Sequence, residues 1–244
     1  MDVLIACEES QTVCKAFRAR GHRAFSCDIQ ACSGGHPEWH IKGDCLPILN
    51  GKCEFVLENG QTDRQIDRWG LIIAHPPCTD LAASGARWFE QKRSDGRQRE
   101  SIEFFAKFLD IDCDKTVIEN PIGIISGNYI KEFFPDLAEK YGLPRPFDQV
   151  IHPWQFGDNE EKTTCLWLKG VRPLIPQITH IPKDVEFFEF TSKKTGRHKR
   201  VPKWYFEALH THEQAKIRSK TFPGIANAMA EQFTQETEIQ LCLF

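Results

Sequence analysis

The sequence lacks any long apolar run. Its 244 residues contain no stretch close to the roughly 18 consecutive apolar residues that a membrane-spanning helix requires. The apolar run that follows Met1-Asp2 is too short and wrongly flanked for a signal peptide. We therefore expect a soluble protein without a membrane partner, located in the cytoplasm, where its ten cysteines stay reduced.

A strong charge of one sign is also missing. The formal net charge is −3, whereas a strongly basic domain is the usual footprint of a nucleic-acid-binding protein. Positive charge gathers only locally, in residues 87–99 and 193–200. Solvated surface loops would account for both segments, and so would contacts with phosphates.

Closely spaced cysteine pairs are absent, because no Cys-x-x-Cys occurs in the chain. Structural zinc sites favour such pairs. Six possible ligands nevertheless crowd into one short region: Cys27, Cys32, His36, His40, Cys45 and Cys53. A zinc-binding module therefore stays open as an alternative, and elemental analysis would test it.

The sequence does contain short apolar runs that alternate with amphipathic stretches. Strands are predicted over residues 3–6, 22–27, 69–74, 115–119 and 164–169. Helices are predicted after Ser10, over 101–109 and over 224–233, with Pro223 opening the last one. This alternation predicts an α/β fold with a doubly wound, mostly parallel, Rossmann-like sheet.

Two further stretches interrupt the alternation. Residues 53–65 predict a strand and a tight turn, as in a hairpin. The Pro-rich basic stretch 171–203 shows no clear periodicity and predicts a small irregular insert. We expect a main α/β domain over 1–170, a short insert over 171–215, and a C-terminal helix within 216–244 that returns to the main domain.

Polar residues follow the predicted strands directly. They are Cys7–Ser10, Asp28, Cys78 and Glu119-Asn120. Ligands of an open α/β sheet bind beyond the carboxyl ends of its strands, so these residues are candidates for a site. One edge of the sheet would then collect a thiol and several carboxylates.

Cys78 and Glu119 are the strongest candidates for chemistry. Two prolines precede Cys78 and fix its backbone, which suits a nucleophile, although a buried structural thiol is the alternative. Glu119 ends an apolar strand, so burial is expected to raise its pKa. A helix cap or a surface ion pair is the alternative for Glu119.

These segments resemble those of the DNA cytosine carbon-5 methyltransferases. Five segments carry the resemblance in the family's order: Cys27-Asp28, Gly43-Asp44, His75-Pro-Pro-Cys78 with Ser84-Gly85, Glu119-Asn-Pro-Ile-Gly123, and Gly224-Ile-Ala-Asn-Ala228. The recognition region is short, with roughly 50 residues available, so the resemblance is to a compact, phage- or prophage-like member without extended sequence readout.

The resemblance implies transfer of a methyl group from S-adenosylmethionine to carbon-5 of cytosine in DNA. Cys78 would add to carbon-6 of the base, Glu119 would act at ring nitrogen 3, and Lys162 would replace an arginine of the family. No metal is needed. The implied cofactor contacts are Cys7, Glu8, Ser10, Asp28, Ile29, Asp44, Cys45, His75, Pro77 and Asn227.

The implied partner is DNA with a flipped-out or single-stranded cytosine, bound by a monomer. Residues 87–99 would form a mobile lid over the phosphates. The implied nucleic-acid contacts are Ser84, Arg87, Lys92, Arg93, Arg97, Lys194, Arg197, Lys199 and Arg200.

The chain departs from the family at two places. Ala6–Gln11 replaces a glycine-rich turn, and Glu161–Thr164 is the nearest match to the family's Gln-x-Arg-x-Arg segment. Two alternatives therefore stay open: an enzyme of the same chemistry that acts on free cytosine nucleotides, and a catalytically silent nucleic-acid-binding module.

Overall fold

The computed structural model describes residues 1–192, 196–208, 219 and 221–235. The strands are β1 (Asp2–Ala6), β2 (Arg23–Asp28), β3 (His40–Lys42), β4 (Cys53–Val56), β5 (Thr62–Ile66), β6 (Leu71–Ala74), β7 (Thr116–Asn120), β8 (Gln149–Ile151), β9 (Thr164–Lys169), β10 (Phe187–Thr191) and β11 (His198–Pro202). The α-helices are α1 (Thr12–Ala19), α2 (Phe89–Ser94), α3 (Arg97–Leu109), α4 (Tyr129–Phe133), α5 (Pro135–Tyr141), α6 (Lys203–Ala208) and α7 (Pro223–Gln232).

Seven strands form the main sheet in the order β3-β2-β1-β6-β7-β9-β8. Strand β9 runs antiparallel to both of its neighbours, and the other six strands run in one direction. The predicted doubly wound, mostly parallel α/β sheet is therefore confirmed.

The central strands form because they are short apolar runs that can be buried on both faces. Residues 3–6 of β1 and all four residues of β6 are buried, as expected of strands inside a parallel sheet. Helices α1 and α7 cover one face, where Phe17 and Met229 are fully buried. Helix α3 covers the other face with Ile102 and Phe105.

The chain reverses its direction of winding at β1. It passes from β1 to β2 and β3 on one side, then returns to β6 and β7 on the other side. Such a switch point leaves a crevice beyond the carboxyl ends of the two strands that flank it. The segments that begin at Cys7 and His75 leave β1 and β6 at this crevice.

The two stretches that interrupt the alternation are both hairpins. Strands β4 and β5 pair antiparallel, which confirms the hairpin predicted near residues 53–65. The prediction of an irregular stretch over 171–203 is wrong in part, because β10 and β11 also pair antiparallel within it. Most residues of β10 and β11 are exposed, so the apolar alternation that reveals a half-buried strand is missing there.

Among the described residues, no helix is both long enough and apolar enough to cross a membrane.

Gly170 is required where β9 ends. Its φ is +66°, and a Cβ atom there would lie 1.9 Å from the carbonyl oxygen of Asp114.

We expect Gly170→Ala to lower the free energy of unfolding by about 3 kcal/mol or more, because the backbone must move to make room for the added Cβ atom. Gly142→Ala is the matched control, since its φ is +61° but no atom lies within 4 Å of the added Cβ. The control should lose only about 1 kcal/mol. Urea unfolding measures both, and equal losses would contradict the packing argument.

Candidate active site

The turn between β1 and α1 keeps a glycine-like backbone without glycine. Cys7 and Gln11 have φ values of 60° and 58°, in the left-handed region that side chains rarely adopt. The buried Gln11 side chain offsets this strain by donating hydrogen bonds to Ser26 Oγ at 3.2 Å and to the His36 carbonyl at 2.8 Å. The segment between β1 and α1 therefore adopts left-handed backbone at two positions although it contains no glycine.

The Glu8 carboxylate caps helix α1. It accepts hydrogen bonds from the backbone N–H groups of Val13 at 2.6 Å and Cys14 at 3.2 Å. Burial raises the pKa of Glu8, partly opposed by the charge of His75 and these two hydrogen bonds. The carboxylate predicted to contact a cofactor thus already has a structural role. Its neighbour Glu9, which the sequence places at the same edge, has a buried Oε2 atom without a hydrogen-bond partner in the described part of the chain.

Two carboxylates lie where β2 and β3 end, Asp28 as the last residue of β2 and Asp44 two residues after β3. Asp28 accepts a hydrogen bond from the Gln30 N–H at 2.9 Å, and its own carbonyl accepts one from the Gly43 N–H at 2.9 Å. Asp44 is exposed. Ile29 lies beside Asp28 and is 75% exposed. This edge therefore offers carboxylate oxygens next to an uncovered apolar side chain.

The other predicted cofactor contacts differ in their exposure. Ser10 Oγ lies 3.2 Å from Thr12 Oγ1 at the start of α1. Cys45 is buried, with its sulfur 3.9 Å from that of Cys7. Asn227 is exposed on α7.

Several buried thiols are poor nucleophiles. The contact with Cys45 and burial raise the pKa of Cys7. Burial raises the pKa of Cys14 and of Cys165 to about 12. These thiols stay protonated near neutral pH, whereas attack requires a thiolate. Cys78 is less buried than Cys14 and Cys165.

The loop that carries Cys78 is fixed to the end of β7. Asn120 is buried, and its Nδ2 donates a hydrogen bond of 2.7 Å to the Pro76 carbonyl. The Cys78 carbonyl accepts hydrogen bonds from the N–H groups of Leu81 at 3.0 Å and Ala82 at 2.9 Å. Pro77 follows Pro76 and limits the backbone further. The Asn120–Pro76 hydrogen bond therefore fixes the start of the loop to the end of β7.

Glu119 is buried but ionised, which corrects the expectation from the sequence. Burial by itself would raise its pKa. The hydrogen bond from His75, the charges of Lys162 and His75, and a hydrogen bond from Thr164 together lower the pKa. The sequence suggested the burial of Glu119. It gave no signal that His75 and Lys162 would lie beside the carboxylate.

His75 contacts Glu119 directly. Its Nδ1 lies 3.0 Å from Glu119 Oε2, and because Glu119 is ionised, Nδ1 carries the hydrogen and donates it. The His75 side chain is only 10% exposed. The structure therefore places this residue, predicted as a cofactor contact, beside the catalytic candidate.

A second histidine–carboxylate pair supports the segment of Lys162. Glu161 Oε1 lies 2.8 Å from His152 Nδ1, and Trp154 Nε1 donates a hydrogen bond of 2.6 Å to Glu161 Oε2. Neither His152 nor Trp154 lies in a recognisable motif, so the sequence does not predict their place at the site. Their contacts hold the chain just before β9, where Lys162 faces Glu119.

Most of the predicted lid, residues 87–99, is helical. Residues 89–94 form α2, and α3 begins at Arg97. Lys92 is buried, and its ammonium lies 3.2 Å from Asp80 Oδ1 and donates a hydrogen bond to the Thr79 carbonyl. We therefore withdraw Lys92 as a phosphate contact, because its charge is neutralised inside the protein next to the Cys78 loop.

The remaining basic residues lie at or near the surface. Arg97 pairs with Asp95 at 2.6 Å, and the Arg93 guanidinium packs over Phe133 at 4.0 Å. Exposed positions are Ser84, Arg87, Arg97, Arg197, Lys199 and Arg200. Lys194 lies outside the described residues.

The alternative of a zinc module receives no support from the described residues. None of their His, Cys, Asp and Glu side chains form a group of three or more that could hold a metal. His36 stacks on Trp39 with ring centroids 3.8 Å apart. His40 Nδ1 lies 2.8 Å from Ser26 Oγ, and its Nε2 lies 2.9 Å from the Gln30 carbonyl.

No protein-family model matches the chain, and no curated protein matches it. Among solved structures, it is similar to a candidate DNA modification methyltransferase encoded within a prophage of E. coli. The TM-score is 0.42 at 12% identity, and the alignment covers 86% of this chain. The chain spans 64% of the length of that protein. A structural similarity this distant says nothing about function. The function is therefore inferred from the residues of this chain.

Gly123 allows the loops after β6 and β7 to touch. A Cβ atom there would lie 2.3 Å from the Leu81 carbonyl oxygen, whereas one on Gly127 would meet nothing within 4 Å. We expect Gly123→Ala to push the Cys78 loop away and lower Tm by about 5 °C or more, since about 1 kcal/mol corresponds to 2–4 °C in a chain of this size. Gly127→Ala should change Tm by less than about 2 °C. Thermal unfolding measures both, and an unchanged Tm for Gly123→Ala would refute the close approach.

Proposed function

We propose that the protein is a methyltransferase that uses S-adenosylmethionine to methylate carbon-5 of cytosine in DNA. The observation behind the proposal is that the segment after β6 is hydrogen-bonded to the end of β7. The Asn120–Pro76 hydrogen bond holds the Cys78 loop against β7, whose Glu119 is buried beside His75 and Lys162. A positioned thiol next to a carboxyl group that can exchange protons suits covalent catalysis on a base.

The residues at the crevice fit S-adenosylmethionine. The unpartnered Glu9 Oε2 at the β1–α1 turn is an acceptor that suits the ammonium of the methionine part. Asp28 and Asp44 offer acceptors for the ribose hydroxyls and the adenine amine, and the exposed Ile29 offers an apolar surface for a ring. When bound, the cofactor supplies an electrophilic methyl group.

Cys78 and Glu119 act on different atoms of the base. The Cys78 thiolate adds to carbon-6, and the electron pair of the carbon-5–carbon-6 bond moves into the ring. Glu119 first takes up a proton from solvent and then delivers it to ring nitrogen 3, which makes carbon-5 nucleophilic. After methylation, a base takes the carbon-5 proton, the nitrogen-3 proton returns to Glu119, and the carbon-6–sulfur bond breaks to release Cys78 as a thiolate.

A polymeric substrate is supported by the exposed cations around the site. Arg87 lies nine residues after Cys78, and its guanidinium packs over the half-exposed Trp88 at 5.1 Å. A cation next to an exposed aromatic ring suits a phosphate beside an unstacked base. Arg197 and Lys199 on the β10–β11 hairpin add exposed charge to the recognition-like segment.

The proposal predicts label transfer from radiolabelled S-adenosylmethionine to cytosine in single- or double-stranded DNA. Cys78→Ala should abolish transfer. Glu119→Gln should slow it by about 10² to 10⁴, because a positioned acid is lost. Cys113→Ala is a matched control, since this thiol is buried and lies before β7 at the opposite edge of the sheet.

The same assay includes dCMP as a second acceptor. Transfer to DNA should exceed transfer to dCMP and fall steeply with added salt, as counterion release from a polyanion requires. Full activity of Cys78→Ala would contradict the mechanism. Preferential transfer to dCMP would contradict DNA as the substrate while retaining the chemistry.

A further inference from the structure

The β10–β11 hairpin has two chemically different faces. Residues directly opposite each other on antiparallel strands share a face, and successive residues along a strand alternate between faces. The register pairs Phe188 with Val201 and Phe190 with Lys199. These four residues therefore lie on one face of the hairpin, which we call the aromatic face.

The rings on the aromatic face form a row with a ring from α6. Phe206 of α6 stacks on Phe188, with ring centroids 4.0 Å apart and an interplanar angle of 13°. The Phe190 ring follows, with its centroid 5.8 Å from that of Phe188. Phe188 is still 39% exposed and Phe190 37% exposed. Helix α6 therefore covers one end of the row and leaves the Phe190 end open to solvent.

The opposite face of the hairpin neutralises its own charges. Glu189 lies there, with its carboxylate 3.4 Å from His198 and 3.7 Å from Arg200. The Arg200 guanidinium packs over the Phe187 ring at 3.4 Å from its centroid. This face therefore has its ring covered and its acidic and basic groups matched.

The aromatic face is different in charge as well as in exposure. Among the paired residues of β10 and β11, it carries the exposed cation Lys199 and no acidic side chain. Arg197, one residue before β11, adds a second exposed cation. Open aromatic rings bind unpaired bases by stacking, while neighbouring cations bind the phosphates of the same strand. Bases inside a duplex are stacked on each other and do not offer their faces in this way.

The hairpin is attached next to the candidate active site. Trp204 of α6 donates a hydrogen bond of 3.1 Å from Nε1 to the Glu161 carbonyl. Its ring also packs edge-on against Phe222, with centroids 5.7 Å apart. Glu161 directly precedes Lys162, whose charge acts on Glu119. A strand bound on the aromatic face would therefore lie close to a base held at the site.

We propose that the aromatic face binds single-stranded DNA, with an unpaired base stacked on Phe190 and a backbone phosphate on Lys199. This inference rests on the proposed function and deepens it, because it assigns a single strand rather than an intact duplex as the substrate. Binding through this face needs neither the cofactor nor the methyl transfer itself.

The test is binding of fluorescently labelled DNA to the full chain without S-adenosylmethionine, followed by fluorescence anisotropy. The probe is an oligonucleotide of about 12 nucleotides, which is within the usual span of such sites, used as a single strand and as a duplex. We expect the wild type to bind the single strand about tenfold or more tightly than the duplex.

Two substitutions of the same residue separate stacking from packing. Phe190→Leu keeps an apolar side chain but removes the ring, so it should weaken single-strand binding by about fivefold or more. Phe190→Tyr keeps the ring and should stay within about twofold of the wild type. Phe187→Leu, on the opposite face of the same strand, is the matched control and should change the affinity by less than about twofold.

The salt dependence gives a second readout that does not involve the ring. Lys199→Ala should reduce the slope of log Kd against log salt concentration by about 0.7, as expected for one lost phosphate contact on a single strand. An unchanged slope would overturn the phosphate contact.

The outcomes separate this surface from the proposed reaction. Equal affinity of Phe190→Leu and the wild type, or a duplex bound at least as tightly as the single strand, would overturn the surface even if methyl transfer occurs. Tighter binding of RNA of the same sequence would overturn its assignment to DNA. Ring-dependent binding of single-stranded DNA by a wild type that transfers no methyl group would support the surface and overturn the proposed reaction.

Discussion

The hydrogen bond from Asn120 Nδ2 to the Pro76 carbonyl is the contact on which the site depends. At 2.7 Å and fully inside the protein, it joins the chain leaving β6 to the end of β7. Breaking it would leave a buried amide and a buried carbonyl unpaired, at a cost of about 1–3 kcal/mol for each group. The close approach of Gly123 to Leu81 reinforces the same junction. A thiol and a carboxyl group that lie more than 40 residues apart in the sequence are thus brought to one edge by backbone geometry.

Charge balance at this junction follows from burial. Glu119 is nearly inaccessible to water, and an isolated carboxylate would take up a proton there. His75 and Lys162 reverse that preference, and each comes from a different strand end. The resting site therefore holds a carboxylate between a histidine and a lysine.

Much of the fold could be predicted because the central strands carry apolar runs that end in polar residues. The same pattern located Cys78, Asp28 and Glu119. Strands β3 and β8 have only three residues each, too few to show an apolar–polar alternation. The exposed β10–β11 hairpin has no buried face, so its sequence shows no such alternation either. The inward turn of Lys92 and the pairing of His75 with Glu119 depend on contacts between distant segments, which local sequence does not encode.

The most direct test of the account is capture of the Cys78 adduct on DNA that contains 5-fluorocytosine. Fluorine replaces the carbon-5 proton that must leave before Cys78 can be eliminated, so addition and methyl transfer should be followed by arrest. The account predicts a stable covalent complex that requires S-adenosylmethionine, with the modified base on the peptide that contains Cys78 by mass spectrometry. Attachment at another cysteine, or methylation of ordinary cytosine without any trapped complex, would contradict it.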